Sequence, residues 1–562
     1  MRLENMEILR LHLPLTDLSH KDNIRTLYLY QRCPFFENEQ RRFLSKGILF
    51  MKYYIGLDNG GTTTKAAIFD NQGHQLGCCS VATAALTPKP EFVERDMEEM
   101  WDANCSVVRG VLEQTGISAD DVAGIGICGH GKGLYLWGKD DKPVRNGIIS
   151  TDNRAYREVE RWKADGTEEK VFALSCQHIM NCQPVALLAW LKMHEPENYQ
   201  NIRYVFECKD YVRFRLTGEA RAEITDYSGA NFMNLHTRAY DPELLRLFGI
   251  EEMEHALPPL CRADEIAGYV TKEAAEKCGL KAGTPVVGGF FDINACAIAS
   301  GVIYPDLICM IAGTWSINEY IRKEAVLDGK VQMNSLFCLP EYYLIEESSA
   351  TSAGNNEWFI NQLLPEVRKE AKSSGKSVYE VVNGWVGEIS PNTFVPVFLP
   401  FLMASNVHPN AKASFVGLNV SHTRKHMARS VYEGIAFCHR YHLEKLLATM
   451  EEKPRAIRLS GGAAKSPVWA QMFADVMQLP IETVQAEEAG ALGCAIASAV
   501  ATGAYASMDE AVEHMTVVSQ AIAPNPELAE TYNRKYELYV KTIECLDGLW
   551  DTMQKVVENS EA

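Results

Sequence analysis

Ile55-Gly56-Leu57-Asp58-Asn59-Gly60-Gly61-Thr62-Thr63-Thr64-Lys65-Ala66-Ala67-Ile68-Phe69 runs an apolar strand into a glycine and threonine turn and out into a second strand. About 250 residues later the design returns as Ile308-Cys309-Met310-Ile311-Ala312-Gly313-Thr314-Trp315-Ser316-Ile317. Two such hairpins predict two related domains facing each other across a cleft, with a boundary near residue 300. From Met51 onward short apolar strands alternate with amphipathic helices, the pattern of an α/β protein.

Outward from the first hairpin, Asp96-Met97-Glu98-Glu99 reads as a capping box. It opens a helix with Met97, Met100, Trp101, Cys105, Val108 and Leu112 on one face. Strands are expected at Val122–Cys128 and Leu134–Trp137, flanking Gly129-His130-Gly131-Lys132-Gly133. Residues 1–50 lack a consistent period and hold eight Lys/Arg against six Asp/Glu, whereas the rest of the chain carries −20. They read as an appendage, with Met51 as the expected native start. Glu4, Glu7 and Asp17, and the lack of a clean apolar run, argue against a signal or transit peptide.

Composition narrows the function classes. The 562 residues are 47% hydrophobic and 23% charged, an ordinary globular balance that excludes collagen-like, low-complexity and coiled-coil descriptions. With 55 Lys+Arg against 73 Asp+Glu, the net charge of −18 argues against nucleic acid or an anionic membrane as the main partner. The sixteen cysteines are scattered, and Cys128, Cys296, Cys309 and Cys494 sit inside apolar runs. They read as buried thiols in a reducing, cytoplasmic setting. Ala489 to Ala506 is long but built from Gly, Ala and Ser, too mild to prefer lipid.

Four elements carry chemistry. In the turn Asp58 to Lys65, glycines let backbone N–H groups approach an anion, threonines add donors and the lysine adds a charge, while Asp58 can hold Mg²⁺. A plain hairpin turn has the same residues. The second turn, Gly313-Thr314, reads alone as a simple turn. The third is Arg458-Leu459-Ser460-Gly461-Gly462-Ala463-Ala464-Lys465-Ser466-Pro467-Val468-Trp469 with a helix at Ala470–Met477, where small residues leave room for a nucleotide base or for tight helix packing. The fourth is Val286-Val287-Gly288-Gly289-Phe290-Phe291-Asp292-Ile293-Asn294-Ala295-Cys296-Ala297. Its single carboxylate is either a helix N-cap or a base that orients an alcohol for phosphoryl transfer.

Together, in this order, the four elements resemble the FGGY family of carbohydrate kinases, and the likeness runs over residues 51–545. Its most specific piece is Ala413-Ser414-Phe415-Val416-Gly417-Leu418, seven residues, then His426-Met427-Ala428-Arg429-Ser430-Val431-Tyr432-Glu433. Lys209-Asp210-Tyr211-Val212-Arg213-Phe214-Arg215-Leu216-Thr217-Gly218 and Thr225-Asp226-Tyr227-Ser228 resemble further family landmarks. The resemblance implies two actin-like, ribonuclease-H-like domains, at 51–298 and 299–562. It makes Asp292 the catalytic base and puts Asp58, Gly60, Gly61, Thr62, Thr63 and Lys65 on the first phosphate turn. Gly313 and Thr314 fall on the second turn; Gly461, Gly462, Ala463 and Ser466 fall on the adenosine motif. Asp58 and Asp292 are the implied Mg²⁺ carboxylates.

For the sugar, the resemblance implies His130, Lys132, Asp152, Arg154 and Asp292, and the Lys132 turn with Glu94-Arg95-Asp96-Met97 looks like the L-xylulose kinase branch. Two positions depart from the family: Gly61 stands where a threonine is usual, and Leu187 where the first signature expects lysine. Asp152 and Arg154 can also simply pair with each other, and Trp101, Trp190 and Trp469 read as core. The implied activity is ATP-dependent phosphorylation of the terminal hydroxyl of a ketopentose such as L-xylulose. Open alternatives are another ketose or polyol (ribulose, erythritol, glycerol), an actin-like ATPase, and a sugar sensor. A homodimer is compatible with the sequence.

Overall fold

The computed structural model describes residues 52–561. The appendage expected at residues 1–50 lies outside the described residues. Among them, every cysteine is unpaired and most are buried, as the sequence suggests. No helix among them is long and apolar enough to cross a membrane.

The first hairpin forms as expected. Strand β1 (Tyr53–Asn59) turns at residues 60–62 into the antiparallel β2 (Thr63–Phe69), which pairs with β3 (Gln75–Ala82). A two-residue strand, β4 (Glu94–Arg95), leads into helix α1 (Met97–Thr115). Asp96 caps that helix by accepting from Glu98 N and Glu99 N, and the six apolar residues assigned to one face are all buried. Strand β5 (Val122–Gly129) runs parallel to β1, and β6 (Gly147–Ile148) pairs with β4. After helix α2 (Cys208–Thr217) the chain adds β7 (Ile266–Tyr269), β8 (Pro285–Val287) and β9 (Phe290–Phe291), then helix α3 (Asp292–Ala299). The sheet order is β7-β8-β5-β1-β2-β3, with β9 also on β5.

The second sheet repeats the plan. Strands β10 (Leu307–Ala312) and β11 (Ser316–Arg322) form the second hairpin. They are joined by β12 (Met333–Leu336), β13 (Tyr343–Ser349), β14 (Ala456–Gly461), β15 (Ile481–Val484) and β16 (Val518–Ile522) in the order β12-β13-β11-β10-β14-β15-β16. In both sheets an antiparallel trio, β3-β2-β1 or β13-β11-β10, meets a parallel partner, β5 or β14, beyond the hairpin's first strand. The echo between the hairpins is therefore a duplication of topology.

Helix α6, introduced after α4 (Arg424–Leu447) and α5 (Pro467–Met477), spans Ala489–Ala501 and comes late in the chain, yet it packs on β1, β5 and α3 of the first half. This is the mild stretch noted in the sequence. Its small residues let backbone meet backbone: a Cβ on Gly56 of β1 would lie 1.9 Å from the Ala491 carbonyl oxygen, so only glycine fits there. The matched signature residues Arg429 and Glu433 form a buried 2.8 Å pair on α4. Tyr532 and Lys535 of the last helix, Ala529–Glu561, bond to this pair, which makes it a clamp within the second domain.

Candidate active site

Carboxylates collect where β1, β5 and β9 end. Asp58 lies opposite Cys128 across β1 and β5, while Phe290 and Phe291 flank Cys128 and Gly129 on the other side. Asp292 is the first residue of α3, one place inside the cap position held by Phe291. Its Oδ1 accepts the Ile293 N–H at 2.8 Å. Burial pushes the Asp292 carboxyl well up, and the charges of Asp58 and Asp226 act the same way against the Ile293 amide and Lys132. Raised basicity suits a proton acceptor. Burial also raises Asp58, against Lys65 and with Glu488 adding to the shift.

Lys132 stands at the tip of the glycine turn after β5, in the left-handed region at φ +64°. Its ammonium lies 5.0 Å from the centre of the Phe291 ring, a cation–π contact that holds the charge beside Asp292. His130 is buried, bonded through Nε2 to the Tyr135 hydroxyl at 2.8 Å, and its backbone N–H reaches Asn59 O at 3.1 Å. Burial, with the Arg95 charge nearby, lowers His130 to about 3, so it is a neutral ring at physiological pH.

Asp152 and Arg154 do pair with each other. Arg154 Nε lies 2.9 Å from Asp152 Oδ1 and Nη2 lies 2.8 Å from Oδ2; the Val93 N–H takes Oδ2 as well at 2.6 Å. Arg154 Nη2 also bonds Glu94 Oε1 at 2.7 Å. Phe92 and Trp190 stack on the guanidinium at 4.1 and 5.1 Å, so Trp190, half-buried, is a wall of this cage as well as core. Arg154 Nη1 is buried and has no acceptor among the described residues. That leaves one directed donor for a ligand, while both Asp152 oxygens are taken by protein.

In the first turn Gly60 N bonds Thr63 O at 3.0 Å, Thr83 N bonds Thr62 O at 3.0 Å, and Gly61 and Thr62 are exposed. Lys65 forms a 2.8 Å ion pair with Glu488 at the start of α6, a partner 423 residues away and invisible to local sequence pattern. In the second half, β10 and β14 end together: Ala312 is opposite Gly461, and Gly462 N bonds Ala312 O at 2.9 Å. Gly313 and Thr314 are thus beside Gly461, Gly462 and the buried Ala463. Ser466 caps α5 by accepting from Trp469 N at 3.3 Å, and its hydroxyl donates to Asn383 Oδ1 at 2.8 Å. A polar cavity of about 410 Å³ opens beside Trp315, with Gln332, Glu347, Ser349, Asn406 and Lys445 among its walls.

Behind Asp292 lies a buried ionic hub. Lys209 Nζ is 2.9 Å from both Asp210 Oδ2 and Asp226 Oδ2 and 3.5 Å from Glu223 Oε2, with all four side chains sealed from solvent. Arg213 binds Asp210 and the Gly288 carbonyl, and Thr225 Oγ1 accepts the Phe291 N–H at 3.1 Å. The segment leading into Asp292 is therefore pinned at both ends. Glu207, Asp210 and Asp226 have the spacing of a cation site, but the Lys209 ammonium already neutralises it.

Comparison with known proteins decides the family. The profile of the FGGY family of carbohydrate kinases, N-terminal domain, matches residues 53–299, and that of its C-terminal domain matches residues 308–502. The chain is an FGGY carbohydrate kinase. It is 37% identical over 499 residues to a protein of Escherichia coli K12 named L-xylulose/3-keto-L-gulonate kinase, covering 88% of this chain and 98% of that protein. It is 35% identical to a probable L-xylulose kinase of Pasteurella multocida, covering 89% of this chain and all of the other. Among solved structures, xylulose kinase from Rhodospirillum rubrum superposes with a TM-score of 0.78 at 26% identity, over 89% of this chain and all of that one. The two actin-like domains across a cleft follow from both the topology and these likenesses.

In this FGGY kinase most residues chosen from sequence fall into two groups at the ends of equivalent strands, and Asp152 and Arg154 stand apart in the cage beside Val93 and Glu94. Leu187, where lysine was expected, is sealed in the first-domain core. Not among the residues singled out for the site are Glu94 and Arg95, which bond to Arg154 and to the first turn, the hub around Lys209, and Glu488. Runs quoted for their resemblance pointed to two of these, Glu94-Arg95-Asp96-Met97 to the first and Lys209–Gly218 with Thr225–Ser228 to the hub, and none pointed to Glu488. The kinase also offers a test of its second half. At Gly461, φ is +82° and an added Cβ would sit 2.6 Å from Ala312 O and 3.0 Å from Gly313 N. Strain of this kind costs about 1–3 kcal/mol. Gly461→Ala should therefore raise KM for ATP by roughly tenfold while KM for the sugar stays near wild type, in steady-state kinetics with both substrates varied.

Proposed function

We propose that this kinase transfers the terminal phosphoryl group of ATP to the primary hydroxyl of a ketopentose, with L-xylulose the first choice. The observation that carries the reading is Asp292: a carboxylate of raised basicity, pinned at the end of β9 and flanked by the Lys132 ammonium. Asp292 orients the hydroxyl and accepts its proton as the new O–P bond forms, a late transfer in a loose transition state. The backbone N–H groups of Gly61 and Thr62 and of Thr314 hold the phosphates, those of Gly60 and Gly313 being bonded within their own turns, and the space beside Gly461, Gly462, Ala463 and Ser466 takes the adenosine. His130, Lys132 and Arg154 line the sugar side, with Asp152 holding Arg154 in place. Closure of the two domains keeps water from competing with the sugar.

Mg²⁺ suits the donor set. Asp58 and Asp292 offer hard carboxylate oxygens in one neighbourhood, and the charge of Asp58 raises Asp292, the repulsion a divalent cation relieves. Bound there, it would supply charge neutralisation for the phosphate oxygens.

The likeness to proteins named L-xylulose kinases favours that ketose over ribulose, erythritol or glycerol. The unpartnered Arg154 Nη1 and the Lys132 charge also suit a carboxylate, so the panel includes a 3-keto sugar acid. In a coupled ADP-release assay over pentuloses, hexuloses, polyols and that acid, the highest kcat/KM is expected with L-xylulose. A better polyol substrate would overturn the ketose reading, and ADP release without any sugar would favour an ATPase.

A further inference from the structure

Val93-Glu94-Arg95 touches both sides of the site. The Val93 N–H donates to Asp152 Oδ2 at 2.6 Å, Glu94 Oε1 accepts from Arg154 Nη2 at 2.7 Å, and Arg95 sends Nη1 to Gly60 O at 3.2 Å and Nη2 to Gly61 O. Three consecutive residues therefore join the Arg154 cage to the first phosphate turn. The strap is fixed along its length. Arg95 pairs with Gly147 and Glu94 with Ile148 across β4 and β6, and Ile148 exchanges both backbone hydrogen bonds with Leu134, two residues past Lys132.

Arg95 is 1% exposed, so its fork is committed to the interior. In a trans peptide the N–H points away from the preceding carbonyl. Drawing the Gly60 and Gly61 carbonyls toward Arg95 thus turns the N–H groups of Gly61 and Thr62 to the opposite side. Gly61 supplies no side chain to order the turn, and nothing lies within 4 Å of where its Cβ would be. The planar guanidinium can hold two neighbouring carbonyls at once, which an ammonium cannot.

We propose that Arg95 is the positioning residue of the first phosphate turn and that, through Glu94, it couples occupancy of the Arg154 cage to nucleotide binding. This rests on the reading of that turn as a phosphate site. Occupancy of the cage draws on Arg154, Arg154 holds Glu94, and the adjoining Arg95 sets the turn, so sugar and nucleotide tighten each other reciprocally.

The test is calorimetric binding of MgADP with and without the best sugar of the panel, on full-length wild type, Arg95→Lys and Glu94→Gln. Wild type should bind MgADP more tightly when sugar is present. Arg95→Lys should weaken MgADP by about tenfold and bring the sugar effect close to none. Glu94→Gln, which leaves the Arg95 fork in place, should keep MgADP affinity but lose most of the sugar effect, a split that a general loss of structure would not give. Unchanged MgADP affinity in Arg95→Lys would overturn the positioning role of Arg95, and absence of MgADP binding by wild type would overturn the phosphate reading beneath it. Weakened affinity with an intact sugar effect, or no sugar effect in wild type, would overturn the coupling alone.

Discussion

Asp292→Asn is expected to lower sugar-dependent kcat by about 10²–10⁴-fold, the usual contribution of a positioned general base. The substitution conserves shape. The asparagine Oδ1 can still accept the Ile293 N–H that Asp292 accepts at 2.8 Å, so α3 and the pinned β9 segment keep their places. What changes on the proposed sugar side is the loss of a charged group able to take the hydroxyl proton, since a neutral amide can hydrogen-bond the hydroxyl but not deprotonate it. The loss should fall mainly on kcat, with smaller rises in KM for the sugar, whose hydroxyl loses its orienting carboxylate, and for MgATP, whose cation loses one carboxylate oxygen. Coupled ADP release on the preferred sugar measures it. Full sugar-dependent turnover in the variant would remove Asp292 from the base role.

Lys209→Met is expected to lower stability by about 3–5 kcal/mol, the cost of leaving buried charges without their counter-charge. Lys209 is fully buried among Asp210, Asp226 and Glu223, and its loss leaves Arg213 as the cation bonded to this cluster. Burial already pushes Glu223 up to about 7 with Lys209 beside it, from an ordinary value of 4.5. An acid raised in the folded state binds more protons folded than unfolded, so stability falls as pH climbs from its unfolded value toward its folded one. Losing Lys209 raises Glu223 further, and the gap between variant and wild type should widen from about pH 5 to about pH 8. Urea midpoints across that range measure both terms. A gap that stays constant or narrows with rising pH would show that the hub carries no net electrostatic strain.

Much of this molecule is legible in its sequence because the deciding features are local. A strand running through Asp58 into Gly60-Gly61-Thr62 states its turn within a dozen residues, and the helix from Met97 states its cap and its buried face together. Asp292 stood out as one carboxylate between an apolar strand and a small-residue helix. Features that join distant segments were not legible. Lys65 reads as a phosphate cation, but its ion-pair partner Glu488 arrives only with α6; the Asp152–Arg154 pair is open to sequence reading, whereas the Val93 amide and Glu94 that complete it are not. Trp190 shows the same limit, since helical spacing points it to the core and the Arg154 guanidinium draws it into the cage wall.

The placement of α6 bears on how the chain comes to be made. The backbone of that helix passes directly over Gly56 in β1, and Ala489–Ala501 leaves the ribosome well after the whole of the first half. The first domain is thus translated long before the piece that closes it, and its sheet must wait with one face uncovered. A chain divided between the halves would leave that face uncovered until the second piece arrived, so the two domains are coupled as folding units.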